Sequence, residues 1–222
     1  MATPLGRLHL VTDGRPTRDP LAVVRAALSV AALSGGAGRL VVQVRVTDGT
    51  TDRAAYELAA AVAELCPATG ATCLVNDRLH VGLAVGADGG HVGADDLPVA
   101  AARRVLGPQA VLGATVRDPA AARCAVANGA SYLGVGPVYP TATKSGLPAP
   151  IGPAGVAAVA EAVTVPVIAI GGVTADRVAE VCAAGAYGVA VVGAIGSAPD
   201  PAAATRAFLA ALEAASTTMA PR

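Results

Sequence analysis

The sequence predicts an α/β protein built as a single (β/α)8 TIM barrel, and three observations carry that prediction. Short runs rich in Val, Leu and Ile recur eight times. Ala-rich stretches with apolar residues at helical spacing separate most of them. The chain has 222 residues, a length that suits one closed barrel, so one domain over 1–222 is expected.

The runs are 8–12, 40–46, 72–75, 90–92, 110–114, 132–135, 166–170 and 188–192. They are apolar at nearly every position rather than at alternate ones, the pattern of parallel strands covered on both faces. Each stops at small or polar residues, such as Asp13-Gly14, Asp48-Gly49, Asn76-Asp77 and Gly171-Gly172. Helices are expected over 54–66, 97–106, 119–128, 153–162 and 175–183. Thr51-Asp52, Asp118-Pro119 and Thr174 look like helix starts, and Gly129 and Gly185 like helix ends. A doubly wound open sheet is the alternative. It would want Gly-x-Gly-x-x-Gly after the first strand, where Asp13-Gly14-Arg15-Pro16 stands. Residues 214–222 are small and polar and are expected to form a frayed tail.

Composition narrows the partners. Sixteen basic and 16 acidic residues cancel, with no long run of either sign. That argues against nucleic acid or a membrane surface, which call for a basic field. Apolar residues make up 54% and aromatics 2%, so the core must be Ala, Val, Leu and Ile. Cys66, Cys73, Cys124 and Cys182 form no Cys-x-x-Cys pair and read as buried small side chains in a reducing compartment. There is no basic stretch followed by a long apolar one at the start, and no apolar run near the ~20 residues that span a bilayer. A cytoplasmic location is expected, with the oligomeric state open, a homodimer included.

One count stands out. Fifteen of the 16 basic residues are Arg, and Lys144 is the sole lysine. A lysine is a compact, flexible point charge and an arginine a planar fork, so this position is singled out.

In such a barrel, functional residues come from the C-terminal ends of the strands. Gln43 and Arg45 lie two apart on the second strand and share one side of it. A charge there needs a ligand or an ion pair closing the barrel. Asn76-Asp77 follows the third strand and Gly93-Ala94-Asp95-Asp96 the fourth. Two carboxylates from adjacent strand ends can share a hard cation with ligand oxygens, though both sequences are also ordinary turn residues. His91, inside the short fourth strand, reads as a core histidine. Glycines after strands seven and eight, in Ile170-Gly171-Gly172-Val173 and Val192-Gly193-Ala194, let backbone N–H groups approach a phosphate. They are also compatible with tight turns. Strand six runs into Pro140-Thr141-Ala142-Thr143-Lys144-Ser145-Gly146, with hydroxyls and an ammonium suited to an oxyanion. A ligand with more than one phosphate-like group is implied.

Read together, these segments resemble thiamine phosphate synthases, of the thiamine phosphate synthase/TenI superfamily, over roughly residues 8 to 212. The matching stretches are Gln43-Val44-Arg45, Val75-Asn76-Asp77-Arg78, residues 86–93, Asp96-Leu97-Pro98, residues 134–144 and Ala169-Ile170-Gly171-Gly172-Val173. The resemblance implies a transferase. A hydroxymethylpyrimidine diphosphate loses pyrophosphate through a dissociative step, and a thiazole phosphate nitrogen is alkylated. It implies Mg2+ held by Asp77 and Asp96. Gln43, Arg45 and Asn76 would bind the pyrimidine diphosphate, Thr115 the reacting pyrimidine region, and Lys144 the pyrophosphate. Thr141, Thr143, Gly172, Val192 and Gly193 would serve the thiazole phosphate. Arg45, Thr115 and Lys144 are the expected catalytic residues.

Three departures accompany the resemblance. After Arg45 the family has an acidic residue and a lysine where Val46 and Thr47 stand here. Thr115 and Gly193 replace usual serines. A TenI-like thiazole tautomerase or a weakly active paralogue is the alternative. The tautomerase histidine position holds Pro137, and Asn76, Asp77 and Asp96 are kept, which favours the synthase. A non-catalytic thiamine phosphate-binding barrel would keep the glycines and could lose the carboxylates.

Overall fold

Eight strands form one parallel barrel in sequence order: β1 (Leu8–Val11), β2 (Leu40–Val44), β3 (Thr72–Asn76), β4 (Gly89–Val92), β5 (Val111–Val116), β6 (Tyr132–Val135), β7 (Val167–Ile170) and β8 (Gly188–Val191). The barrel closes where β8 pairs with β1, Leu8 opposite Val189. This computed structural model describes residues 5–14, 19–33, 40–143 and 146–218. Helices cover the outside: α1 (Pro20–Leu33), α2 (Asp52–Leu65), α3 (Leu79–Ala84), α4 (Val99–Leu106), α5 (Pro119–Ala127), α6 (Gly152–Ala162), α7 (Val178–Ala183), α8 (Gly193–Gly196) and α9 (Pro201–Thr218). None of the described helices is long and apolar enough to cross a membrane.

Two apolar layers result from strands covered on both faces. Between strands and helices, residues such as Leu10, Val42, Val75, Leu133 and Val189 meet Val24, Ala59, Val156 and Leu209. Inside the barrel, Val11, Val41, Leu74, Ile168 and Ala190 surround Tyr132, which is 1% exposed. One tyrosine ring fills the axis because the strands beside it carry glycine. Any Cβ at Gly113 would collide with the Tyr132 ring.

Local chemistry sets the element ends. The Thr51 hydroxyl accepts from the Ala54 N–H at 3.2 Å. The Asp118 carboxylate accepts from Ala120 and Ala121 at 2.8 and 2.9 Å. Each cap satisfies donors that a helix start leaves open. Thr174 differs from expectation: its side chain caps nothing, and residues 175–183 divide into a 3-10 turn (Ala175–Arg177) and α7. Strand bounds shift slightly. Arg45 falls just past β2, and Thr115 lies within β5 rather than after it.

Two further expectations are corrected. The tail does not fray from residue 214, because α9 continues to Thr218. Ala215 is buried there, and Arg7 from the barrel floor donates to the Leu212 carbonyl at 2.8 Å and to Ser216. Residues 219–222 lie outside the described ones. Cys66, Cys73 and Cys182 are buried free thiols, but Cys124 is exposed on α5.

Candidate active site

A cavity of about 400 Å³ opens at the C-terminal ends of the strands. Gln43, Arg45, Asn76, Asp77, Asp96, Thr115, Thr141, Thr143, Gly172, Val192 and Gly193 all line it. Lys144, expected at the same mouth, lies outside the described residues.

One side is built by side chains from β2 to β5. Thr12 fixes the backbone of Arg45 at both ends: its hydroxyl donates to the Arg45 carbonyl at 2.7 Å and accepts from the Arg45 N–H at 2.8 Å. The guanidinium therefore leaves from a held point. Nearby, Asp52 lies 2.8 Å from Arg78 Nη1 and 3.3 Å from His80 Nε2.

Asp77 has φ 60°, the only non-glycine positive φ among the described residues. That conformation costs roughly 1–2 kcal/mol outside glycine, and two bonds hold it. The Asp77 N–H donates to the His91 carbonyl at 2.9 Å, and its own carbonyl accepts from Leu79 at 3.0 Å. Arg78, next in sequence, donates to the Asp52 carboxylate at 2.8 Å and the Thr50 carbonyl at 2.5 Å. It thereby joins the loops after β3 and β2. Asp96 turns back over its own loop, Oδ2 accepting from the Gly93 N–H at 2.7 Å.

These two exposed carboxylates fit one kind of ion. Among the described residues no group of three or more His, Cys, Asp or Glu is placed to hold a metal. A closed zinc-type cage is therefore not built here. Two carboxylates that leave positions for water and ligand oxygens suit Mg2+.

Below them lies a polar floor. His91 Nε2 is 2.9 Å from the Thr115 hydroxyl, and His91 Nδ1 is 2.9 Å from the Tyr132 hydroxyl. The Gln43 amide also donates to that hydroxyl, at 3.3 Å. Burial lowers the His91 pKa to about 4, with Asp96 opposing. His91 is thus a buried histidine, as expected, but one that reaches the cavity. The role of Tyr132 was missed by sequence reasoning. The available signal was the glycine pair in strand interiors, Gly113 and Gly134, since strand glycine marks a close approach.

The opposite side is built by backbone from β6 to β8. Gly171 carbonyl accepts from the Tyr139 N–H at 2.9 Å, and Gly172 carbonyl from Arg177 Nη1 at 3.0 Å. In a trans peptide the N–H points opposite to the C=O. The amides of Gly172 and Val173 are therefore turned away from these partners. Arg177 also stacks 4.3 Å over the Tyr139 ring, and the Tyr139 hydroxyl donates to Glu180 at 2.5 Å. Burial and Glu180 push that phenol up to about 12. This cluster locks the loops after β6 and β7 together, and no motif announced it. Thr141 and Thr143 hydroxyls meet at 3.0 Å. Pro137 lines the cavity as well.

The profile of a family described as thiamine monophosphate synthase matches residues 8–195. A thiamine-phosphate synthase of Salinispora arenicola is 70% identical over 208 residues, covering 94% of this chain and 98% of that protein. Its counterpart in Salinispora tropica is 67% identical over 208 residues, with the same coverage of 94% and 98%. Among solved structures, a thiamine phosphate pyrophosphorylase from Pyrococcus furiosus superposes with a TM-score of 0.82. It has 33% identity and covers 94% of this chain and 96% of that one.

Proposed function

Because the chain belongs to the thiamine monophosphate synthase family, we propose that it joins a hydroxymethylpyrimidine diphosphate to a thiazole phosphate, releasing thiamine phosphate and pyrophosphate. It is a transferase of thiamine biosynthesis. The observation that best supports the specific reaction is the two-sided cavity: one cation and two carboxylates face a glycine-rich backbone wall across about 400 Å³. Such a space suits two anionic groups handled by different means.

In this reading Gln43, Arg45 and Asn76 bind the pyrimidine diphosphate, and Thr115 faces the carbon that reacts. Asp77 and Asp96 would hold Mg2+, which when bound adds positive charge to the diphosphate oxygens. The bond between the pyrimidine methylene and the diphosphate oxygen breaks, and its electron pair leaves with pyrophosphate. Arg45 and Lys144 stabilise that charge. The thiazole nitrogen then donates its lone pair to the methylene carbon, held in line by its phosphate. Thr141, Thr143 and the backbone of Gly172, Val192 and Gly193 serve that phosphate. Catalysis is charge stabilisation on a leaving group, so no general base is required. The neutral Pro137 at the tautomerase position favours this reading over a thiazole tautomerase.

The test mixes the two phosphorylated precursors with Mg2+ and protein and follows both products. Thiamine phosphate and pyrophosphate should appear in equal amounts. No product at high protein concentration sinks the proposal. Lys144→Ala should retain the fold and lose roughly 10- to 150-fold in turnover, the scale of a charge-assisted contact to phosphate. Undiminished turnover would remove Lys144 from the pyrophosphate site.

A further inference from the structure

We propose that Tyr132 and His91 are positioning residues that fix which way the hydrogen bonds of Gln43 and Thr115 point into the cavity. The proposal rests on the synthase reading above and assigns work to two residues that reading leaves idle.

The argument follows the protons. The Gln43 amide nitrogen can only donate, so the Tyr132 oxygen accepts from it at 3.3 Å. Tyr132 is 1% exposed and has one proton of its own to place. The second partner of its hydroxyl is His91 Nδ1, at 2.9 Å. If Nδ1 carried a proton, two donors would face the phenol and its O–H would be buried without an acceptor. An orphaned buried donor costs roughly 1–3 kcal/mol, enough to select the other arrangement by about 5- to 150-fold. Nδ1 is therefore the acceptor, and His91 is neutral with its proton on Nε2. That proton has the Thr115 oxygen before it at 2.9 Å. Thr115 accepts from His91, and its own O–H is released toward the cavity as a donor.

The chain thus reads Gln43 to Tyr132 to His91 at one end, and His91 to Thr115 at the other. It spends the Gln43 N–H below the floor and turns the amide oxygen toward the cavity. The ligand meets one acceptor, from Gln43, and one donor, from Thr115, in a fixed order. Three barrel features keep this arrangement. Gly113 leaves the space that the His91 and Tyr132 rings occupy together, since a Cβ there would collide with both. A Cβ at Gly134 would meet His91 Cε1 at 3.1 Å. His9 packs edge-on against Tyr132 with ring centroids 5.0 Å apart. A strand residue with any larger side chain at 113 would break the relay.

Two experiments test this, one of them free of activity. Nitrogen-15 NMR of labelled histidine at neutral pH should show His91, identified by its loss in His91→Gln, as the neutral Nε2–H form. Tyr132→Phe should shift its Nδ1 signal. Finding Nδ1–H, or an imidazolium, overturns the proposal whatever the protein catalyses. The second is a double-mutant cycle on product formation. Tyr132→Phe, assayed well below its melting temperature, should lower kcat about tenfold, the scale of one buried hydrogen bond, and leave KM for the thiazole phosphate unchanged. In a Thr115→Val background the same change should cost less than about threefold. Equal losses in both backgrounds would mean the phenol does not act through Thr115. A wild type that makes no thiamine phosphate would sink the synthase reading, while the NMR result still decides the relay.

Discussion

In the proposed reaction the two walls of the cavity would handle negative charge by different means. From β2 to β5 the groups are side chains: Asn76, together with Arg45, Asp77, Asp96 and Thr115, which are braced by a loop or by the floor beneath. From β6 to β8 they are largely backbone amides at Gly171, Gly172 and Gly193, shaped by a Tyr139–Arg177–Glu180 cluster outside the cavity. A side-chain wall can be weakened by removing atoms. A backbone wall can be weakened only by adding them. That contrast tells which mutation reads which half of the reaction.

The largest effect is expected on the side-chain wall. Arg45→Ala removes the one cation among the described cavity residues, and its backbone anchor to Thr12 stays intact. Loss of a charge-assisted contact is worth roughly 1.5–3 kcal/mol. Steady-state kinetics should show kcat/KM for the pyrimidine diphosphate falling about 100-fold, with little change in KM for the thiazole phosphate. A loss confined to the thiazole phosphate would exchange the walls' roles.

On the backbone wall the sharpest probe adds one carbon. Gly172 has φ +66°, and a Cβ there would sit 2.5 Å from the Pro140 carbonyl and 2.8 Å from Tyr139 Cβ. Left-handed strain of roughly 1–2 kcal/mol adds to a comparable packing cost. Gly172→Ala should therefore lower the melting temperature by several degrees and raise KM for the thiazole phosphate about tenfold. Gly193→Ala is the control: its Cβ would meet side chains alone, the Thr143 methyl at 3.1 Å and the Ser197 hydroxyl at 3.7 Å, and a milder effect on both readouts is expected. If the two substitutions behave alike, backbone shape is not what that wall contributes.

How far these walls could be read from sequence differs too. The side-chain wall was legible because its residues stand at strand ends, where an apolar run stops at a polar pair such as Asn76-Asp77. The backbone wall was legible only as glycine, which says that a close approach occurs but not to what. The floor was nearly silent. Tyr132 opens an apolar run and looks like any core residue, and its partner His91 lies 41 positions earlier. Only the closing of the barrel through β4, β5 and β6 brings them together. Thr115 was placed after its strand because a polar residue looks like an end. In fact β5 continues to Val116, and the hydroxyl faces the barrel interior.

The floor also ties stability to pH. Burial lowers His9 to about 3 and His91 to about 4, from 6.5. The unfolded chain therefore binds these protons more tightly than the native one. Stability is complete above 6.5 and falls as pH drops toward 4 and then 3. About one pH unit below the ordinary value, each imidazole should cost roughly 1.4 kcal/mol. Melting temperatures recorded across this range should decline, and His91→Gln should flatten the slope. An unaltered slope in that variant would mean that folding does not depress the His91 pKa.

The smallest effect is expected where the chain departs from its family. Thr47 stands where the resemblance leads one to expect a lysine. It is exposed, does not line the cavity, and its hydroxyl is 3.0 Å from that of Thr50. Gly14 packs against its backbone, since a Cβ there would sit 2.7 Å from the Thr47 nitrogen. The backbone at this position is thus held near the mouth, on the side-chain wall, two residues beyond Arg45. A lysine there has the reach to add a second cation, but from an exposed, hydrated position, where a charge pair is worth only about 0.2–1 kcal/mol. Thr47→Lys should lower KM for the pyrimidine diphosphate by about two- to fivefold at low salt, with the gain shrinking as salt is raised. A far larger gain would mean that the wall is short of charge, and that Arg45, Lys144 and the ion do not suffice for the leaving group. No gain at any salt would mean the loop points its side chain away from the diphosphate, leaving the family's lysine without a counterpart in this chain.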